Sequence, residues 1–177
     1  MRAFDVGLQY PVAGRFAAPS QCMPVSANLL HHAIEIFLKG CLVKRVGFSG
    51  IPRGKNGHDL NALWCKFREY FQNESLERFG SVVAKLHDFE KIRYPENLIS
   101  GGGLLGIGFP SGARHMQLEG PKVPEYQIAV EDVDALVHAL FRAGNVNPKF
   151  YGWLFDQKHA QTYFNYRNAS PLIPEEP

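Results

Sequence analysis

Cleaving an RNA strand without a metal takes a base for the 2′-hydroxyl proton and a cation for the phosphate. A histidine with an arginine about one helical turn away supplies both. That spacing occurs as Arg53-Gly54-Lys55-Asn56-Gly57-His58, and the loop's Lys55 adds a further positive charge for an anion. The plainer reading of His58 is a helix-capping residue after a solvated basic loop, since seven histidines in 177 residues make a chance match easy. The following tetrad, Gly57-His58-Asp59-Leu60, also explains itself structurally. Glycine permits a tight entry, Asp59 suits the amino end of a helix, and Leu60 points inward. Lys39 and Arg93, with Tyr94 beside the latter, are candidates for one polar cleft that takes an anionic ligand. Against that stand a solvated lysine paired to Glu35 and an arginine that closes a helix.

Other patterns weigh less. Gly101 to Gly106 satisfies the spacing G-x-G-x-x-G. It fails as a dinucleotide fingerprint, because no strand leads in and Phe109-Pro110 stops a helix from following; a flap or surface loop is expected instead. Near the carboxyl end, Tyr151, Trp153, Phe155, Lys158, His159, Tyr163, Phe164, Tyr166 and Arg167 interleave rings with bases. Such rings can stack on single-stranded RNA, although core or dimer packing is the commoner use. The motifs H-E-x-x-H, C-x-x-C and G-x-S-x-G are absent, so zinc hydrolase and serine hydrolase chemistry have no foothold. Cys22, Cys41 and Cys65 are odd in number and unpaired in spacing, which predicts reduced, buried thiols and no metal site. No cofactor is expected.

These residues need elements to hold them. With 45% apolar and 20% charged residues, the chain has the composition of one soluble globular domain over residues 1–177. Nineteen bases nearly balance seventeen acids, so any nucleic-acid contact must be local. Residues 1–20 contain Gly7, Pro11, Gly14 and Pro19 and read as an irregular arm. From Val25 to Val46 two adjoining apolar stripes predict a long helix, with Asn28, His31, His32, Glu35 and Lys39 on the opposite face and Gly47 at its stop. After the loop 47–57, Leu60, Leu63, Trp64, Phe67 and Phe71 mark a second helix. Leu76, Phe79, Val83, Leu86 and Phe89 mark a third, from about Ser75 to Arg93, which Pro95 ends. Residues 96–128 form a glycine-rich insertion in which Leu104–Phe109 and Met116–Leu118 are candidates for a short β-hairpin. Val133, Leu136, Val137, Leu140 and Phe141 mark a fourth helix capped by Gly144, and Asn147-Pro148 opens a fifth. The expected bundle spans about 21–160, with an extended, partly mobile tail over 165–177. The start shows no signal-peptide pattern and no apolar run of membrane length, so a cytoplasmic protein without a membrane partner is expected.

Three segments, in order, resemble the HEPN family of helical bundles found in prokaryotes and in the large chaperone-like protein sacsin. They are His32-Ala33-Ile34-Glu35-Ile36-Phe37-Leu38-Lys39-Gly40, similar to Ala-x-Glu-x-x-Leu-Lys-Ala; Gly57-His58-Asp59-Leu60; and Arg93-Tyr94-Pro95, which resembles the sacsin-like branch. The resemblance covers about residues 25–143. It implies a mainly α, antiparallel up-and-down bundle of about five helices that pairs as a homodimer. It also implies Lys39, His58, Arg93 and Tyr94 as ligand or phosphate contacts, and a possible partner of the nucleotidyltransferase type. Many family members are RNA-cleaving toxins or defence nucleases with an arginine followed four to six residues later by a histidine near the last helices. Here Arg93 is followed by Tyr94, Pro95, Glu96, Asn97, Leu98, Ile99 and Ser100, with no such histidine. The expectation is therefore a non-catalytic module that binds nucleotide, RNA phosphate or a protein partner. The alternatives are a metal-independent ribonuclease using His58 or His115 with Arg53, Arg93 or Arg114, and a purely structural helical adaptor.

Overall fold

A computed structural model describes residues 2–20, 22–92, 96, 100, 104–108, 125–147 and 165–168. Among these residues lie five α-helices and one two-stranded sheet, so the fold is mainly α.

The amino-terminal segment corrects the expectation of an irregular arm. Residues Arg2–Ala17 form helix α1, with Pro11 inside it. Phe4, Gly7, Leu8, Pro11, Gly14 and Arg15 are buried, a spacing of three and four that lays α1 along helix α2, Met23–Val46. The glycines that look like breakers are contact points. A methyl group at Gly7 would lie 2.7 Å from Phe37 Cε1, and one at Gly14 would lie 2.9 Å from Leu30 Cδ2. Their lack of a side chain lets the two helices approach closely.

Helix α2 is the central rod and packs against each of the other four described α-helices. It ends where Gly47 takes a φ of 67° and donates its N–H to the Val43 carbonyl at 3.0 Å. Helix α3, Leu60–Tyr70, begins at Asp59, whose carboxylate accepts the N–H groups of Asn61 and Ala62 at 2.9 and 3.0 Å. Asp59 is thus the cap, and the capping role considered for His58 falls to its neighbour. The expected third helix is split into a 3-10 segment Glu74–Phe79, helix α4 over Gly80–Asp88, and a second 3-10 segment Phe89–Ile92. Its anticipated apolar face, Leu76, Phe79, Val83, Leu86 and Phe89, is nonetheless the buried one.

Strands β1, Leu104–Gly108, and β2, Glu125–Ala129, pair in parallel with Ile107 opposite Ile128. This replaces the expected hairpin, whose second half, Met116–Leu118, lies outside the described residues. A parallel pair needs a crossover of a dozen or more residues, which the length between the strands provides. Helix α5, Val130–Ala143, follows β2 directly, with Glu131 and Asp132 in its first turn and Gly144 at its end. Phe4, Phe37 and Phe141 meet at centroid distances of 5.1–5.3 Å, which joins α1, α2 and α5 in one core.

A buried ion pair also ties α1 to α5. Arg15 donates to Asp134 and to the backbone carbonyl of Tyr166. The chain around Asn165–Asn168 is accordingly a turn with Asn168 buried, where an extended tail was expected. Of the three free cysteines only Cys41 is buried; Cys22 and Cys65 are exposed, contrary to expectation, because one precedes α2 and the other faces outward on α3. Burial pushes the Cys41 thiol up to about 12. The expected fifth helix and the aromatic stretch 151–164 lie outside the described residues, and no helix among the described ones is long and apolar enough to cross a membrane.

Candidate functional site

The polar face of α2 is half covered. His31, His32, Glu35 and Lys39 fall one turn apart, which puts all four on the same side of the helix. The segment after α2 then folds back over that side. Its close approach depends on Gly57, where an added methyl would sit 3.0 Å from the Pro52 carbonyl oxygen and 4.0 Å from Lys39 Nζ. Gly54, at a φ of 62°, supplies the reversal before it. The result is that His58, far along the chain from α2, arrives beside Glu35.

Glu35 is the centre of the arrangement, only 5% exposed. Its Oε1 accepts from Lys39 Nζ at 2.7 Å and faces His58 Nδ1 at 3.1 Å. Its Oε2 has no hydrogen-bond partner among the described residues and looks toward His32 Nδ1 at 3.4 Å and His31 Nε2 at 4.0 Å. Burial pushes the Glu35 carboxyl up, but the hydrogen bonds and charges of Lys39 and His58 outweigh it and hold the group below its ordinary value. It is therefore a carboxylate at neutral pH, and His58 turns its Nδ1–H toward it. The imidazole Nε2 is left as the outward acceptor on a side chain that is 62% exposed.

His31 differs from its neighbour. Its Nδ1 lies 3.1 Å from the Leu86 carbonyl, which can only accept, so the ring proton sits on Nδ1. Burial lowers its proton affinity more than the Leu86 carbonyl, Glu90 and Glu35 raise it. His31 is a neutral core histidine that joins α2 to α4.

Outside this cluster opens a cleft of about 320 Å³ lined by Lys39, Arg53, His58, Phe48, Ile51, Pro52, Gly54 and Gly57. Arg53 is steadied by a hydrogen bond from Nη2 to the Phe48 carbonyl at 3.3 Å. Lys39, His58 and Arg53 are thus brought together. Arg93 and Tyr94 lie outside the described residues, as do Arg114 and His115. The Lys39–Glu35 pairing anticipated from the sequence is present, and the carboxylate serves His58 as well. The central place of Glu35 was not read from the sequence. Its signal was there, an acid four residues after His31, three after His32 and four before Lys39. In the Gly101–Gly106 spacing, Leu104–Gly106 belong to β1 and form no phosphate loop. Among the described residues no group of three or more His, Cys, Asp or Glu side chains is placed to hold a metal.

The arrangement can do two things chemically. It can hold an oxyanion between the Lys39 ammonium and the Arg53 guanidinium, and it can accept a proton at His58 Nε2. Compared with known proteins, the chain matches no family model, no curated protein and no solved structure.

Proposed function

We propose that this chain is a HEPN-type module, cytoplasmic and dimeric, that binds the phosphate of a nucleotide or RNA in the cleft of Lys39, Arg53 and His58 without turning it over. One observation carries the reading: Lys39 and His58 share the buried carboxylate of Glu35, which fixes both at the mouth of a cleft that also holds Arg53. The Lys39 ammonium and the Arg53 guanidinium supply the donors for the phosphate oxygens. Two such cations within a few ångströms of a phosphate supply charge-assisted hydrogen bonds of roughly 1.5–3 kcal/mol each. Nucleotide or a short single strand then binds in a salt-sensitive way.

Fluorescence anisotropy with a labelled RNA oligonucleotide and a labelled nucleotide tests this against Lys39→Gln and Arg53→Gln. A clear loss of affinity in both variants is expected. Absence of binding by the wild-type protein at low salt would leave the partner or adaptor roles, for which a nucleotidyltransferase-type protein is the first candidate. Sedimentation of the purified chain tests the dimer.

The His58–Glu35 contact favours one second reading, a metal-independent ribonuclease. In it His58 Nε2 takes the 2′-hydroxyl proton, the 2′-oxygen attacks the phosphorus, and the 5′-oxygen leaves as a hydroxyl with a proton from water to give a 2′,3′-cyclic phosphate, while Lys39 and Arg53 hold the phosphate oxygens. Cleavage of structured RNA in chelator that disappears in His58→Ala would establish this reading; equal cleavage by that variant would exclude it.

A further inference from the structure

A second cleft, on another side of α2, belongs to none of the chemistry above. It lies where the carboxyl ends of α2 and α5 meet the chain that leaves α3, and its volume is about 440 Å³. Two arginines border it, Arg45 from α2 and Arg142 from α5. Phe71, Leu76, Ala139 and Ala143 make its apolar wall.

Among the described residues Arg78 also lies over a ring without a carboxylate partner, but in this cleft two such guanidinium groups border one cavity. Arg15 is bound to Asp134, and Arg68 to Glu77 and the Asn73 carbonyl. Among the described residues, neither the Arg45 nor the Arg142 guanidinium has a carboxylate within 4.0 Å or a hydrogen bond. Arg45 instead lies over the Phe71 ring, 5.2 Å from its centroid, which orients the guanidinium plane and leaves its N–H edges exposed. The charge of Arg142 is felt nearby: burial first, and then Arg142, lowers the proton affinity of His138.

Each arginine stands in the last turn of its helix, where the helix dipole favours a base. That accounts for each of them singly. It does not account for two from different helices around one cavity. The helix ends there are already occupied: the Val43, Phe67 and Leu140 carbonyls accept from Gly47, Phe71 and Gly144. Both cations are therefore available to a ligand.

We infer that this cleft binds a small aromatic phosphate ester, with the oxyanion between Arg45 and Arg142 and the ring against Phe71, Leu76, Ala139 and Ala143. A guanidinium fork matches phosphate oxygens in pairs, and a cavity of this size lies within the usual range for small ligands. The site is separate from the cleft of Lys39 and His58, so each stands or falls independently.

The test uses phenyl phosphate and, as its uncharged counterpart, benzyl alcohol, titrated into the full chain and followed by NMR. The methyl signals of Ala139 and Ala143 report this cleft, and that of Ile51 reports the other. Phenyl phosphate should shift the alanine methyls in a saturable way, and benzyl alcohol should not. Arg45→Gln and Arg142→Gln, both at exposed positions, should each weaken that binding by about tenfold or more, the size expected for one hydrogen bond to a charged group. Thermal melts check that both variants stay folded. Unmoved alanine methyls in the wild-type protein, equal binding of benzyl alcohol, or unchanged affinity in both variants would overturn the assignment, whatever happens at Ile51.

Discussion

Replacing Glu35 by glutamine probes the centre of the candidate site while keeping its shape. The carboxylate is buried and accepts from Lys39 at 2.7 Å, a charge-assisted hydrogen bond of roughly 1.5–3 kcal/mol between partly buried groups. The contact with His58, whose side chain is 62% exposed, is screened by water and adds at most about 1 kcal/mol. Against these gains, an amide costs less to bury than a charge, so part of the loss is recovered. The net expectation for Glu35→Gln is a destabilisation of about 1–2 kcal/mol at pH 7, seen as a fall of roughly 2–8 °C in melting temperature for a domain of this size. The pH dependence is sharper than the magnitude. Lys39 and His58 hold the folded-state carboxyl below its ordinary value of 4.5 even though burial pushes it up. A carboxyl of this kind stabilises fully above 4.5, and its contribution is lost as pH falls through the lower folded-state value. Urea unfolding of both proteins between pH 7 and pH 3 should therefore show a gap that is full at neutrality and closes below pH 4.5. A gap that stays constant over the range, or a variant more stable than the wild type at pH 7, would refute the view that an ionised Glu35 holds Lys39 and His58 in place.

Three other perturbations have expected outcomes. Arg15→Met strands Asp134, whose carboxyl burial already pushes up to about 6 against the pull of Arg15; urea unfolding should show a loss of about 3–5 kcal/mol at pH 8 that shrinks at pH 5, where the carboxyl takes up a proton. Gly7→Ala places a methyl 2.7 Å from the Phe37 ring, so α1 must shift on α2, and calorimetry should register a cost of about 1–3 kcal/mol. Asp59→Ala removes two hydrogen bonds at the start of α3 and should lower unfolding free energy by about 0.5–2 kcal/mol, with faster amide exchange at Asn61 and Ala62.

Helices α2, α3 and α5 were legible because their apolar residues repeat at helical spacing and their ends carry plain signals at Gly47, Asp59 and Gly144. Helix α1 was not. Gly7, Pro11 and Gly14 carry the local marks of a loop, and only the facing surface of α2, with Phe37 and Leu30 pressed against the glycine positions, turns them into the buried stripe of a helix. The parallel pairing of β1 with β2 is likewise decided at a distance, since five-residue strands announce neither partner nor direction. The site divides along the same line. Lys39 and Glu35 are neighbours on one helix and could be read together. The approach of His58 to the same carboxylate depends on how the loop over 47–57 folds back, which composition alone does not specify.

The clasp made by Arg15 has a consequence for how the chain matures. Its carboxylate partner is 119 residues further along the chain and its carbonyl partner 151. At about 5–20 residues per second, a ribosome needs roughly 6–24 s to deliver Asp134 after Arg15 has been made. The first two helices can associate early, since they are adjacent in sequence, but during that interval the guanidinium has no counterion and must stay hydrated. Docking of α1 is thus completed only after Asp134 and Tyr166 have been made, and until then the nascent protein waits with α1 ajar.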